Sequence, residues 1–177
     1  AAMAGGSALV QKFQVFLEEW QKVYRVVPEF KVVLADLQSF LVELRLWVNQ
    51  LELGMAALSA VDRAQKEREV VDGLTPPVVR AIDGFVERFE AIVVRLEPPL
   101  HPVHRAYLRR QLHPLLLCSP FAHRAFTKPL GYAGDYEMVN MILRNGWEGD
   151  SLYARIVNTW FLRQPPAVAH RNRISYL

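Results

Sequence analysis

From Phe30 onward the apolar residues Phe30, Val33, Leu34, Leu37, Phe40, Leu41, Leu44, Trp47, Val48 and Leu51 recur every three or four positions, with no proline among them. Such a stripe lies on one face of an α-helix and cannot line one face of a strand, where the period is two. The pattern reaches Gly54 and continues through Met55, Leu58 and Val61 to about Val71. It predicts a helix of up to about 40 residues and 60 Å unless Gly54 kinks or splits it. Ahead of it, Val10, Phe13, Phe16, Leu17, Trp20 and Tyr24 predict a shorter amphipathic helix over residues 9–24, ended by Pro28. Behind it, Gly73 reads as a helix stop and Thr75-Pro76-Pro77 as an N-cap with prolines in the first turn. A third helix then runs to about Leu96. No segment alternates with period two between turn pairs. The expected fold class is all-α: a helical bundle with a long antiparallel helical hairpin followed by several short, proline-punctuated helices.

Three stretches follow from this pattern. Residues 1–7 lack the basic and apolar parts of a signal peptide and are expected to be a disordered or vector-derived N-terminus. Residues 8–97 form the long-helix bundle, and residues 98–177, opening at Glu97-Pro98-Pro99, form a short-helix region. There Ser119-Pro120 caps a helix through Phe126, and Asp135 caps one from Tyr136 to about Arg144 that Asn145-Gly146 ends. Asp150 or Ser151 starts the next, to Leu162, and Pro165-Pro166 the last. With 177 residues, 51% of them hydrophobic, the chain can bury a sizeable core. No run of about 18 uncharged apolar residues occurs, so no membrane span is expected. The one cysteine, Cys118, follows three leucines and reads as a small buried hydrophobe, not a nucleophile. Without a disulfide partner it points to a reducing, cytoplasmic setting.

Charge is uneven. Residues 1–100 carry 11 basic and 14 acidic side chains, residues 101–177 carry 10 basic and 4 acidic, and all five histidines lie in the second part. A basic face attracts anions, but no compact basic run or nucleic-acid module is present, so nucleic acid is not an expected partner. His101, His104, His113 and His123 invite a metal reading, yet acid ligands are missing nearby and Pro102 sets His101 outside the first helical turn. No metal site is expected, and no nucleophile, base and orienting acid can be assembled into catalytic residues.

The stretch Thr127-Lys128-Pro129-Leu130-Gly131-Tyr132-Ala133-Gly134-Asp135-Tyr136-Glu137 is the richest in binding chemistry. Its two glycines permit positive φ or close backbone approach, and the amides opening the next helix can face an anion. Lys128, Gly131, Tyr132, Gly134, Asp135 and Tyr136 are the candidate contact residues. The plainer reading is a Pro/Gly turn in which Asp135 caps a helix and the tyrosines fill the core. The glycine spacing matches neither the P-loop nor the dinucleotide fingerprint, and no strand precedes it.

The run from His123-Arg124-Ala125-Phe126 through this loop to Met138-Val139-Asn140-Met141-Ile142, together with the closing Ala169-His170-Arg171-Asn172-Arg173-Ile174-Ser175-Tyr176-Leu177, resembles the segment preceding the catalytic domain in a group of bacterial class I S-adenosylmethionine-dependent methyltransferases. Some members of that group are biosynthetic enzymes for 3-hydroxypalmitic acid methyl ester. The resemblance covers about residues 105–177 and extends to residues 1–100 only as general helical character. It implies a Rossmann-like methyltransferase domain after this point, S-adenosylmethionine as a cofactor held only with that domain, a small-molecule or acyl substrate, and no methyl transfer by these residues alone. It also implies a lid role for the loop, with Tyr132 supplying a hydroxyl or ring face and Asp135 and Lys128 orienting polar groups. The alternative is a helical protein–protein interaction or dimerisation module, with a homodimer formed through the long helices. A mean hydropathy of +0.06 suits either, because some apolar surface is then covered by a partner.

Overall fold

A computed structural model describes residues 2–131 and 135–175. Among the described residues the protein is all-α, with eight α-helices and no strand. The helices are α1 (Ala2–Gln21), α2 (Pro28–Gly54), α3 (Ala60–Val93), α4 (His101–Leu116), α5 (Pro120–Thr127), α6 (Tyr136–Arg144), α7 (Leu152–Leu162) and α8 (Pro165–Ser175). Short 3-10 turns, Lys22–Arg25 and Pro98–Leu100, join α1 to α2 and α3 to α4. None of the helices is long and apolar enough to cross a membrane.

The antiparallel hairpin exists, but its turn differs from the expected one. It lies at residues 55–59, where Met55 is buried and the Ser59 hydroxyl accepts from the Asp62 amide 3.1 Å away to start α3. Gly73 is not a stop and Thr75 is not an N-cap. α3 runs unbroken through Gly73 and Pro76-Pro77, and the buried Thr75 hydroxyl donates to the Val71 carbonyl one turn back. A proline inside a helix costs about 3 kcal/mol. Against that stand Val71, Val78, Ile82, Phe89 and Ile92, buried along one stripe, each contributing about 1.5–3 kcal/mol. Tertiary burial outweighs the local breaker. The Phe30 and Phe89 rings, 4.8 Å apart, and the Arg88–Asp36 pair at 2.8 Å join the two arms.

The short-helix stretch packs into the same core as the hairpin. Leu152, Tyr153, Ile156 and Val157 of α7 share one apolar cluster with α2, α3 and α4. α7 is buried on nearly every side, its polar Asn158 and Thr159 included. The Tyr153 hydroxyl donates to the Leu115 carbonyl at 3.0 Å, and burial pushes its pKa above the usual tyrosine range. Arg155 of α7 bonds Glu67 of α3 at 2.8 Å. The remaining helices hang on α7. Asn158 Oδ1 accepts from the Ser119 hydroxyl at 2.7 Å and the Phe121 amide at 3.0 Å, which anchors the start of α5. Arg171 of α8 donates to the Leu162 carbonyl at 2.9 Å, the Ile142 carbonyl at 3.3 Å and the Asn145 side chain at 3.2 Å, so it ties the C-terminal ends of α6 and α7 together.

The caps expected in the short-helix stretch are present. Ser119, Asp135 and Ser151 each accept from an amide in the first turn of the following helix, and Asn145 closes α6 in the left-handed region. α1 departs from expectation in its burial. Phe13, Phe16 and Trp20 are exposed, and among residues 6–21 only Leu17 is partly covered. Residues 22–25 leave the α-helix for the 3-10 turn, and Val26 enters the core.

Gly149 lets the chain enter α7 closely. Its φ is +147°, and an added Cβ would sit 2.9 Å from Ala154 and Arg155 backbone atoms. Gly149→Ala should therefore lower unfolding free energy by roughly 2–4 kcal/mol in urea titration, while Gly146→Ala, facing only the flexible Glu148 side chain, should cost well under half as much.

Candidate functional site

The loop between α5 and α6 begins where the Lys128 amide donates to the Arg124 carbonyl and Lys128 turns left-handed at φ +43°. The Gly131 amide donates to the Lys128 carbonyl at 2.8 Å, with Gly131 itself at φ +72°. Among the described residues no atom lies within 4 Å of where a Gly131 Cβ would stand, so the positive φ is what calls for the glycine. Tyr132 and Gly134 lie outside the described residues.

Asp135, at the far end of the loop, is 3% exposed and fully engaged. Its Oδ2 accepts from Arg124 Nε at 2.6 Å, and its Oδ1 accepts from Arg124 Nη2 and from the Glu137 amide, both at 3.0 Å. This bidentate pair clasps α5 to the start of α6. The Arg124 guanidinium, more than the backbone amides, holds the Asp135 carboxyl below the usual carboxylate range. Tyr136 points outward and is 64% exposed, in company with Phe126 at 55% and Leu130 at 41%. The loop is thus clamped at its base and apolar on its outer side.

Two concavities meet on the α4 side of α5. One, of about 530 Å³, has walls of Leu112, Leu116, Phe121, Ala125 and Phe161, with Lys128 at its rim. Its mouth, at Arg109, His113 and Phe126, is shared with a groove of about 610 Å³ lined by Lys22, Arg25 and Arg110. The His113 and Phe126 rings meet edge to face at 4.4 Å. Lys22 pairs with Glu19, whereas Arg25, Arg109 and Arg110 have no acidic partner among the described residues. An apolar slot therefore opens into a cationic groove. The basic residues of α4 are legible as part of the positive second half of the chain. Their joining with Lys22 and Arg25 is not, because those two come from the acidic first half.

Of the candidate residues, Lys128 and Tyr136 are exposed at the two ends of the loop, Gly131 shapes it, and Asp135 holds it together. On the other side of α5, Glu137 accepts from Asn140 and Arg144, which draw its carboxyl below the ordinary range, and Arg144 also reaches Glu148. His104 turns both ring nitrogens to the backbone: Nε2 accepts from the Val27 amide at 3.0 Å, and Nδ1 donates to the Leu100 carbonyl at 2.8 Å. Burial raises the Cys118 pKa and keeps the thiol protonated. No family model, no curated protein and no solved structure matches the chain.

Because Asn retains the capping oxygen, Asp135→Asn isolates the charge in the clasp. The depressed native pKa means that ionised Asp135 stabilises the fold above the unfolded value of about 3.9, and that this is lost as pH falls through the native pKa. The variant should melt below wild type at pH 7, and the difference should shrink as pH falls below the unfolded value and close once the native pKa is passed. A gap in melting temperature that does not depend on pH would deny the ion pair this role.

Proposed function

We propose that this chain is the helical substrate-binding and lid portion of an S-adenosylmethionine-dependent methyltransferase, not catalytic alone, with the cofactor held by a Rossmann-like domain that follows it. The observation that carries the reading is the slot between α4 and α5, apolar inside and cationic at its mouth, with Lys128 of the clasped loop on its rim. Such a cavity suits a substrate with an apolar body and an anionic end, such as an acyl chain with a carboxylate. Apolar walls bury the chain, and Arg109 with Arg110 meets the charge. The exposed apolar side chains of Phe126, Leu130 and Tyr136 offer a surface for the neighbouring domain. A lid closing there excludes water and aligns the acceptor with the methyl group, which is what methyl transfer requires of a protein. Lys128 and Tyr132 are the loop groups available to orient polar atoms, while Asp135 acts by holding the loop.

Two titrations test this. In the first, S-adenosylmethionine and S-adenosylhomocysteine are titrated by calorimetry into this chain and into the chain extended through whatever the gene encodes after Leu177. Heat of binding is expected only from the extended form, and its absence from both would remove the methyltransferase reading. In the second, dodecanoate is titrated into the chain itself. Arg109→Ala should weaken binding about 10–100-fold, as for loss of a charged hydrogen-bond partner, and Ala125→Trp should block it. Equal binding by wild type and both variants would place the acyl site elsewhere.

A second reading, a helical interaction or dimerisation module, is favoured by a different observation: the uncovered stripe of α1.

A further inference from the structure

α1 is a helix of 20 residues whose apolar stripe, apart from the partly covered Leu17, is exposed among the described residues. Leu9, Val10, Phe13, Phe16 and Trp20 are all exposed, and Tyr24 continues the stripe in the adjoining 3-10 turn. Helices draw most of their stability from packing such a face, not from propensity. The stripe is also wider than a coiled-coil seam, since Leu9 and Phe16 flank the Val10, Phe13, Leu17 and Trp20 row. That width suits a broad surface and not one slender helix.

α2 carries a surface of this kind. Opposite its core face, Val32, Val42, Leu46 and Leu53 are exposed in one row, with the small residues Ala35 and Ser39 between Val32 and Val42. The row is about 32 Å long, and the stripe of α1 from Leu9 to Trp20, about 17 Å, is long enough to lie along half of it. α1 cannot reach it within one chain. The connection is residues 22–27 only, Val26 is buried, and the Val27 amide is held by His104 at 3.0 Å. α1 is therefore fixed at its root and directed by a joint that the core locks.

We propose that two copies of this chain form a two-fold dimer in which α1 of each lies along the outer row of α2 of the other. The exchange is reciprocal and closed, as a two-fold interface must be. It covers the α1 stripe and the part of the α2 row beneath it, an area on the order of the 800 Å² per partner of a standard stable interface. A lipid surface is a poorer match. Membrane-surface helices carry Lys and Arg on the polar face, whereas residues 6–21 hold Lys12 against Glu18 and Glu19. The proposal gives the interaction-module reading its partner and does not depend on the lid reading, which a monomeric chain would leave untouched.

Sedimentation equilibrium of the chain should return twice its 20.3 kDa mass at micromolar concentration. Phe13→Glu/Phe16→Glu on the arm and Leu46→Glu on α2 should each raise the dimer dissociation constant about thirtyfold or more. All of these side chains are outside the core, so circular dichroism should show the helices α2 to α8 kept, with a loss no larger than α1 itself. Mixed together, the arm variant and the α2 variant should form a weak heterodimer through their one intact contact. A wild-type chain that stays monomeric would overturn the proposal. So would a dimer indifferent to Leu46→Glu, which would mean that α1 pairs with α1, or co-sedimentation of the chain with anionic vesicles as a monomer.

Discussion

The packing of α7 against both arms of the α2–α3 hairpin is the contact on which the rest of the molecule depends. Leu152, Tyr153, Ile156 and Val157 complete the core that α2 and α3 leave open, and Arg155 fastens the helix to Glu67. Every later element then takes its position from α7: α5 through the Ser119–Asn158 bond, and α6 and α8 through Arg171. A loop that is distant in sequence from the long helices is thereby held in fixed relation to them.

That relation gives the α5–α6 loop its character. Two polar devices act on it differently. The Arg124–Asp135 pair is buried and saturated, so its charges hold the loop and are not offered outward. Arg25, Arg109 and Arg110 around the α4 groove instead have no acidic partner among the described residues, which concentrates positive potential at the mouth of an apolar slot. Charge that is matched serves architecture here, and charge that is unmatched serves recognition. Unmatched apolar surface follows the same logic on α1 and α2, where rows of exposed side chains await cover.

The loop beside the candidate site and the caps around it are legible in the sequence. Ser119, Asp135 and Ser151 as caps, Asn145 as a stop, and the loop between α5 and α6 follow from short-range rules. What was not legible is the use made of Asp135. A carboxylate at a helix start looks the same in sequence whether it faces a ligand or an arginine eleven residues back. The groove was hidden for a related reason, since Lys22 and Arg25 meet Arg109 and Arg110 only because the 3-10 turn after α1 packs on α4.

By itself, then, the sequence determined that the chain is helical and where the short helices α5 to α8 begin, because periodicity and capping act over three or four residues. The tertiary structure alone decided which apolar residues are core. The stripe of α1 and the sequence of α7 are comparably hydrophobic, yet one is exposed and the other buried, since burial depends on what another part of the chain presents in return. It also decided that α3 runs through Pro76-Pro77 and that the hairpin turns at residues 55–59. There the free energy of packing a long stripe against α2 and α7 exceeds the local cost of two prolines, a comparison that no local window contains.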